Sequence, residues 1–230
     1  MEYKFSERVL TLKPSAIREI FKYAADPSYI SLSAGNPAPE AFPAKPLAEI
    51  SAKLMAENPI LALQYSTTEG YVPLRDHLRG YMREKHGTGR DFDDVLITSG
   101  AQQIMDLFTK SILNEGETVL CEAPSFIGTL NDFRSYRAKL VGIPMDTDGM
   151  NIEALEKALQ TEKNVKFIYT IPNFQNPGGV TMTAERRRRL LELAHEYNFM
   201  VVEDDPYGRL RYDGGHQVPL KAMDDSVIYL

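Results

Sequence analysis

Cysteine is nearly absent from this chain: Cys121 is the only one among 230 residues. One thiol closes no intrachain disulfide and cannot by itself build a cysteine zinc site. Its place in the apolar run Val119-Leu-Cys121 predicts core packing. Basic residues are in deficit as well, since 26 Lys and Arg against 32 Asp and Glu leave a formal net charge of -6. That balance argues against a general nucleic-acid or anionic-membrane binder and favours small-molecule partners. No stretch approaches the roughly 18 apolar residues of a membrane helix, and Met1-Glu-Tyr-Lys-Phe5 has no apolar leader core, so the expected location is cytoplasmic. Neither Gly-x-Gly-x-x-Gly nor a P-loop is present, which removes the usual signature of a nucleotide-binding doubly wound domain.

What is present belongs to an ordinary soluble globular protein, with 43% hydrophobic and 25% charged residues. A helix is expected from about Ser15 to Ala25, with Ser15 as N-cap and Ile17, Ile20, Phe21 and Ala24 as its apolar stripe. Two more are expected at about Lys45 to Glu57 and Val72 to Lys85. From Asp94 onward apolar runs recur at Val95–Thr98, Thr118–Cys121, Lys139–Ile143, Lys166–Thr170, Phe199–Val202 and Val227–Leu230, with helical patterns in most of the gaps. This alternation predicts an α/β fold, a mainly parallel sheet covered by helices on both faces. Arg186 to Arg189 form the one conspicuous charge run, and four consecutive helix positions point to all sides, so a solvated helix surface is expected.

Chemistry concentrates just after the predicted strands. Phe199-Met-Val-Val202 runs into Glu203-Asp-Asp-Pro-Tyr207, where Pro206 cannot join a ladder and marks the strand's exit. Thr98-Ser-Gly-Ala-Gln-Gln103 turns a strand into a helix, whose free N–H groups and dipole suit an anion such as phosphate. Ala123-Pro-Ser-Phe126 places a ring at the same edge, able to stack on a flat heterocycle or simply to fill the core. Ile171-Pro-Asn-Phe-Gln-Asn-Pro-Gly-Gly179 is a rigid turn that can hold an amide toward a ligand. An anion cradle, a ring, an amide and a carboxylate describe a pocket for a planar phosphorylated heteroaromatic molecule. Those are the requirements of pyridoxal 5'-phosphate.

In family order these segments, together with Ser31-Leu-Ser-Ala-Gly-Asn-Pro37 and Tyr65-Ser66 with Gly70, resemble the fold-type I pyridoxal-phosphate enzymes, specifically class I/II aminotransferases of the 2-aminoadipate/kynurenine group. The resemblance implies a three-layer α/β/α fold lacking its carboxy-terminal part. Residues 1–45 would contribute to a small domain and active-site cover, and residues 46–230 to a partial large cofactor-binding domain. It implies cofactor contacts from Gly100, Ala101 and Gln102 at the phosphate, Phe126 on the ring face, and Asn176 and Tyr207 at the ring oxygen. Asp204 would pair with the pyridine nitrogen, and Tyr65 would reach a neighbouring subunit's phosphate in a homodimer. Arg18, Gly35 and Asn176 are the implied substrate contacts, Arg18 through a distal carboxylate. The family's cofactor-binding lysine follows the strand matching Val227–Leu230, whereas Lys221 precedes it, so these residues are expected to be a fragment, inactive alone. An aminotransferase-like sensor domain of a transcriptional regulator and a pyridoxal-phosphate lyase of the same fold are the alternatives.

Overall fold

A central strand must be apolar on both faces, and Thr-Val-Leu-Cys-Glu-Ala, strand β1 (Thr118–Ala123), is buried along all but its last residue. In the computed structural model, which describes residues 3–10, 12, 26, 28–30, 35 and 37–230, β1 lies between β2 (Lys139–Asp146) and β4 (Val165–Thr170), parallel to both. β2 carries the short antiparallel β3 (Gly149–Met150). On the other side β4 pairs in parallel with β5 (Met200–Glu203), and β5 with β6 (Ile228–Tyr229). The order is β3-β2-β1-β4-β5-β6. Because β1, β4 and β5 are adjacent and parallel, the segments that leave their carboxyl ends share one edge of the sheet.

The helices are α1 (Glu7–Leu10), α2 (Ala44–Glu57), α3 (Pro59–Leu63), α4 (Val72–His86), α5 (Ala101–Ile112), α6 (Ile127–Ser135), α7 (Ile152–Thr161), α8 (Ala184–Tyr197) and α9 (Leu220–Met223); of these, α5 and α6 cover one face of the sheet and α7, α8 and α9 the other. The two-residue period of the strands sorts side chains between two cores. Leu120, Ile168 and Val201 face Leu155 and Leu159 of α7 and Leu190 and Leu193 of α8. Their neighbours Val119, Phe167, Tyr169 and Val202 pack with Met105 of α5 and Phe133 of α6. Phe167 meets Phe108 and Phe133 edge-on at 5.0 and 5.3 Å. Cys121 is buried in the second core, as expected. The architecture is the expected three-layer α/β/α type.

Two expectations are corrected. Residues 95–98 do not form a strand. A short apolar run becomes a strand only where a neighbour supplies its ladder, and here the Val95 carbonyl is taken by Arg75 Nε at 2.6 Å. The arginine run is not uniformly solvated either. Arg186 pairs with Asp146 and Arg189 with Glu156 at the surface, but Arg187 is 1% exposed. It lies three and four positions before Leu190 and Leu191, on the buried face of α8. Its fork donates to the carbonyls of Met182, Pro172 and Val218 and to Asn173 Oδ1, at 2.9–3.1 Å, and lies 3.8 Å from Glu203. A planar five-donor guanidinium can be buried when its donors are matched in this way.

The chain divides into two compact units, Met1–Lys13 with Val72–Leu230, and Pro14–Tyr71. The boundary expected at residues 45/46 falls inside the second. In that unit α2 and α3 contain no buried residue, and Leu47, Ile50, Ile60 and Leu63 are exposed. The helix expected from Ser15 to Ala25, with Arg18, lies outside the described residues. Among the described residues no helix is long and apolar enough to cross a membrane.

Candidate active site

The loop after β4 is held from three directions. Gln175 donates through Nε2 to Glu122 Oε2 at 3.1 Å and to the Pro124 carbonyl at 2.9 Å, while its Oε1 accepts from Gly178 N at 2.7 Å. Asn173 donates to Asp205 Oδ1 at 2.8 Å and accepts from Arg187. The Asn176–Pro177 bond is cis. Held by the hydrogen bonds of Gln175 and Asn173, the loop presents Asn176, whose Nδ2 donates to the Tyr207 hydroxyl at 3.2 Å. Two residues 31 apart in sequence are thereby brought together at the carboxyl edge of the sheet.

The three acids at the end of β5 have separate fates. Glu203 points back beneath the sheet edge and accepts the N–H groups of Leu220 and Lys221, both at 2.9 Å, at the start of α9. Asp205 accepts from Asn173, from Gly208 N at 3.0 Å and from the Tyr229 hydroxyl at 3.0 Å. A Cβ on Gly208 would lie 2.4 Å from the Asp205 carboxylate, so only glycine fits there. Asp204 is buried, and its Oδ2 accepts from the Tyr169 hydroxyl at 2.6 Å. Among the described residues Oδ1 receives no hydrogen bond, and it is not one of the fully buried unpartnered atoms, so it faces open space. Asp204 is therefore the acid with an oxygen to spare. Burial raises its pKa, opposed by the bond from Tyr169.

Gly100 precedes α5 with φ 79° and no side-chain cap, and nothing lies within 4 Å of where its Cβ would stand. Ser99 N is taken by Gln103 Oε1 at 2.6 Å. Gln103 N reaches the Gly100 carbonyl at 3.2 Å, while the N–H groups of Ala101 and Gln102, at the start of the first turn, have no acceptor within the helix and form a positive cradle. The Gln102 side chain turns toward α6, bonding the Gly128 carbonyl at 3.3 Å and the Asp132 carboxylate. Phe126 caps the start of α6 and packs half-buried on the second core. A Cβ on Gly128 would stand 2.6 Å from the Phe126 ring and 2.8 Å from Gln102 Oε1, so the cradle and the ring meet at this glycine. Gly100, Ala101, Gln102, Phe126, Asn176, Asp204 and Tyr207 are thus linked through α6, β4 and the Gln175 loop.

Tyr65 and Gly35 belong to the other unit, and the Tyr65 side chain is exposed. Lys221 is committed elsewhere, its ammonium held by Asp93 at 2.8 Å and the Asp225 carbonyl at 2.7 Å.

Sequence reasoning missed the groups beneath the pocket. Glu122, at the end of β1, is 2% exposed; it accepts from Thr170 Oγ1 at 2.5 Å and from Ile171 N and Gln175. Burial pushes its pKa up to about 7. Tyr169 and Thr129 form a second buried pair, with Thr129 Oγ1 donating to the Tyr169 hydroxyl at 3.3 Å. The available signal was a polar side chain closing an apolar strand: Glu122 after Val119-Leu-Cys121, and Tyr169-Thr170 after Phe167-Ile168.

A three-layer sheet with an anion cradle, a ring, an amide–phenol pair and a spare buried carboxylate along one edge defines a site of the pyridoxal-phosphate transferase type. The model of the family described as aminotransferase class I and II matches residues 27–229, and the chain belongs to that family. It is 46% identical, over its whole length, to 56% of an aromatic-amino-acid aminotransferase of Thermococcus litoralis. It is 40% identical to a 2-aminoadipate transaminase of Thermus thermophilus, across 95% of this chain and 55% of that one. A kynurenine aminotransferase structure from Pyrococcus horikoshii superposes with a TM-score of 0.91 at 43% identity, covering 98% of this chain and 57% of that one. The chain spans about half the length of the curated relatives it matches.

Proposed function

We propose that this chain is the cofactor-binding part of a pyridoxal-phosphate-dependent aminotransferase, which exchanges an amino group between an amino acid and a 2-oxo acid. The observation that carries the reading is Asp204: a buried carboxylate with one oxygen uncommitted, on the same sheet edge as the Asn176–Tyr207 pair. The open oxygen of an otherwise buried carboxylate is a favourable partner for a cation or a donor. The open cradle at Gly100 supports the other end of the ligand, because a phosphate dianion needs free N–H groups at a place no side chain fills.

When bound, pyridoxal phosphate supplies an electron-withdrawing ring. Asp204 then holds the ring nitrogen in its protonated form, and Asn176 and Tyr207 donate to the ring oxygen. The α5 N-terminus binds phosphate, and Phe126 covers one ring face. Tyr65 serves a neighbouring copy in a cytoplasmic homodimer, a role that its solvent-exposed side chain supports. Arg18 and Gly35 are the substrate contacts in this reading. An acidic side chain on that substrate is supported by the kinship with the enzyme named 2-aminoadipate transaminase.

Titrating the chain with pyridoxamine 5'-phosphate tests the site, with saturable binding expected and its loss in Asp204→Ala. Binding unaffected by Asp204→Ala but abolished by Glu203→Ala would refute the assignment. In the whole protein, Arg18→Ala should lower turnover of acidic more than of aromatic amino acids; equal effects would exclude Arg18 from recognition.

A further inference from the structure

Tyr169 belongs to β4 and its ring is completely buried, set edge-on to Phe133 at 5.8 Å. A ring so packed cannot swing, so its hydroxyl has one address. That address is Asp204 Oδ2, 2.6 Å away, a length typical of a hydroxyl donating to a carboxylate. The hydroxyl in turn receives the Thr129 Oγ1 proton at 3.3 Å, from the first turn of α6. Three elements, α6, β4 and the segment after β5, therefore converge on one carboxylate oxygen.

We propose that Tyr169 is a positioning residue for Asp204: its hydroxyl, directed by Thr129, holds one carboxylate oxygen and leaves the other for the ring nitrogen of the cofactor. The inference rests on the reading of Asp204 given above. The other titratable groups facing this carboxylate are Asp205 beside it and Glu122 at the end of β1, both acids. Neither stabilises the ionised form. Tyr169 does, and burial together with the Asp204 charge pushes its own pKa well up, so it remains a donor throughout the working pH range. Without the phenol, Asp204 would keep its proton to higher pH and compete less well for a protonated ring. The carboxylate would also lose its fixed orientation.

The test uses the 230-residue chain with carboxyl-labelled aspartate, first without ligand. Tyr169→Phe should raise the NMR titration midpoint of Asp204 by about one pH unit, the effect of losing one hydrogen bond to a charge. Thr129→Val should raise it less. With pyridoxamine 5'-phosphate, Tyr169→Phe should weaken binding about tenfold at the acid end of a series from about pH 5 to about pH 9, and less at the alkaline end. Affinity for the 1-deaza analogue, with carbon in place of the ring nitrogen, should not fall. An unmoved Asp204 midpoint, or an equal loss for both ligands at every pH, overturns the inference, because a merely structural tyrosine predicts those results. If the chain alone binds neither ligand, the ligand-free titration decides. If Asp204→Asn leaves pyridoxamine 5'-phosphate binding untouched, the cofactor reading itself fails, and the role of Tyr169 falls with it.

Discussion

Replacing Glu122 by Gln should flatten the dependence of stability on pH. Folded Glu122 is buried among donors, and its pKa stands at about 7 against an ordinary 4.5. Between those pH values the folded chain keeps a proton that the unfolded chain has released. Stability therefore falls as pH rises: the contribution is complete below about 4.5 and is lost as pH passes through about 7. Two and a half pH units at about 1.4 kcal/mol each come to about 3.5 kcal/mol, of which about 3 kcal/mol falls between about pH 4.5 and about pH 8. The carboxamide introduced at this position would sit against the Gln175 amide, at a cost that does not vary with pH. The signal is therefore the change in the difference between the two proteins, not the difference itself. Urea unfolding followed by circular dichroism at several pH values from about 4.5 to about 8 measures it, provided the denaturant slopes agree. The wild type should lose about 3 kcal/mol relative to Glu122→Gln across that range. Parallel curves would mean that Glu122 is ionised throughout and that burial does not govern it.

Gly128→Ala should leave the fold nearly intact, since alanine favours the helix by about 1 kcal/mol. It should nevertheless weaken pyridoxamine 5'-phosphate binding by about tenfold or more, because its Cβ displaces Phe126 and Gln102 together, at the roughly 1–3 kcal/mol typical of overpacking. Calorimetric titration beside a melting curve separates the two effects. Arg187→Met should destabilise by about 3–5 kcal/mol in urea unfolding, since it orphans four carbonyl-type acceptors and Glu203. A loss under about 1 kcal/mol would show that the buried guanidinium is dispensable. Gly208→Ala should cost about 1–3 kcal/mol in the same assay, because its methyl group would overlap the Asp205 carboxylate.

Most of the sheet was legible because strands buried on both faces read as unbroken apolar runs, and five of the six expected runs became strands. Residues 95–98 have the same composition, but strand identity also depends on a neighbour that composition cannot report. The residues proposed for the upper wall of the candidate site stand out in the sequence for a similar reason: Gly100, Phe126, Asn176 and Tyr207 lie in turns of unusual local composition. The floor was not. Thr170 meets Glu122 across 48 residues and Tyr169 meets Asp204 across 35, pairings that exist only once β1, β4 and β5 are in register. Arg187 was misread because charge was counted without the acceptors that the folded loops bring to it.

In the proposed site Asp204 receives the ring nitrogen of a pyridoxal-type cofactor. The direct measurement is nitrogen-15 NMR of ring-labelled pyridoxamine 5'-phosphate bound to the chain in alkaline solution, where the free ring is largely unprotonated. A protonated ring nitrogen is expected when the cofactor is bound to the wild type, and an unprotonated one when it is bound to Asp204→Ala. An unprotonated ring in the wild type, or a protonated ring that persists in Asp204→Ala, would contradict the claim.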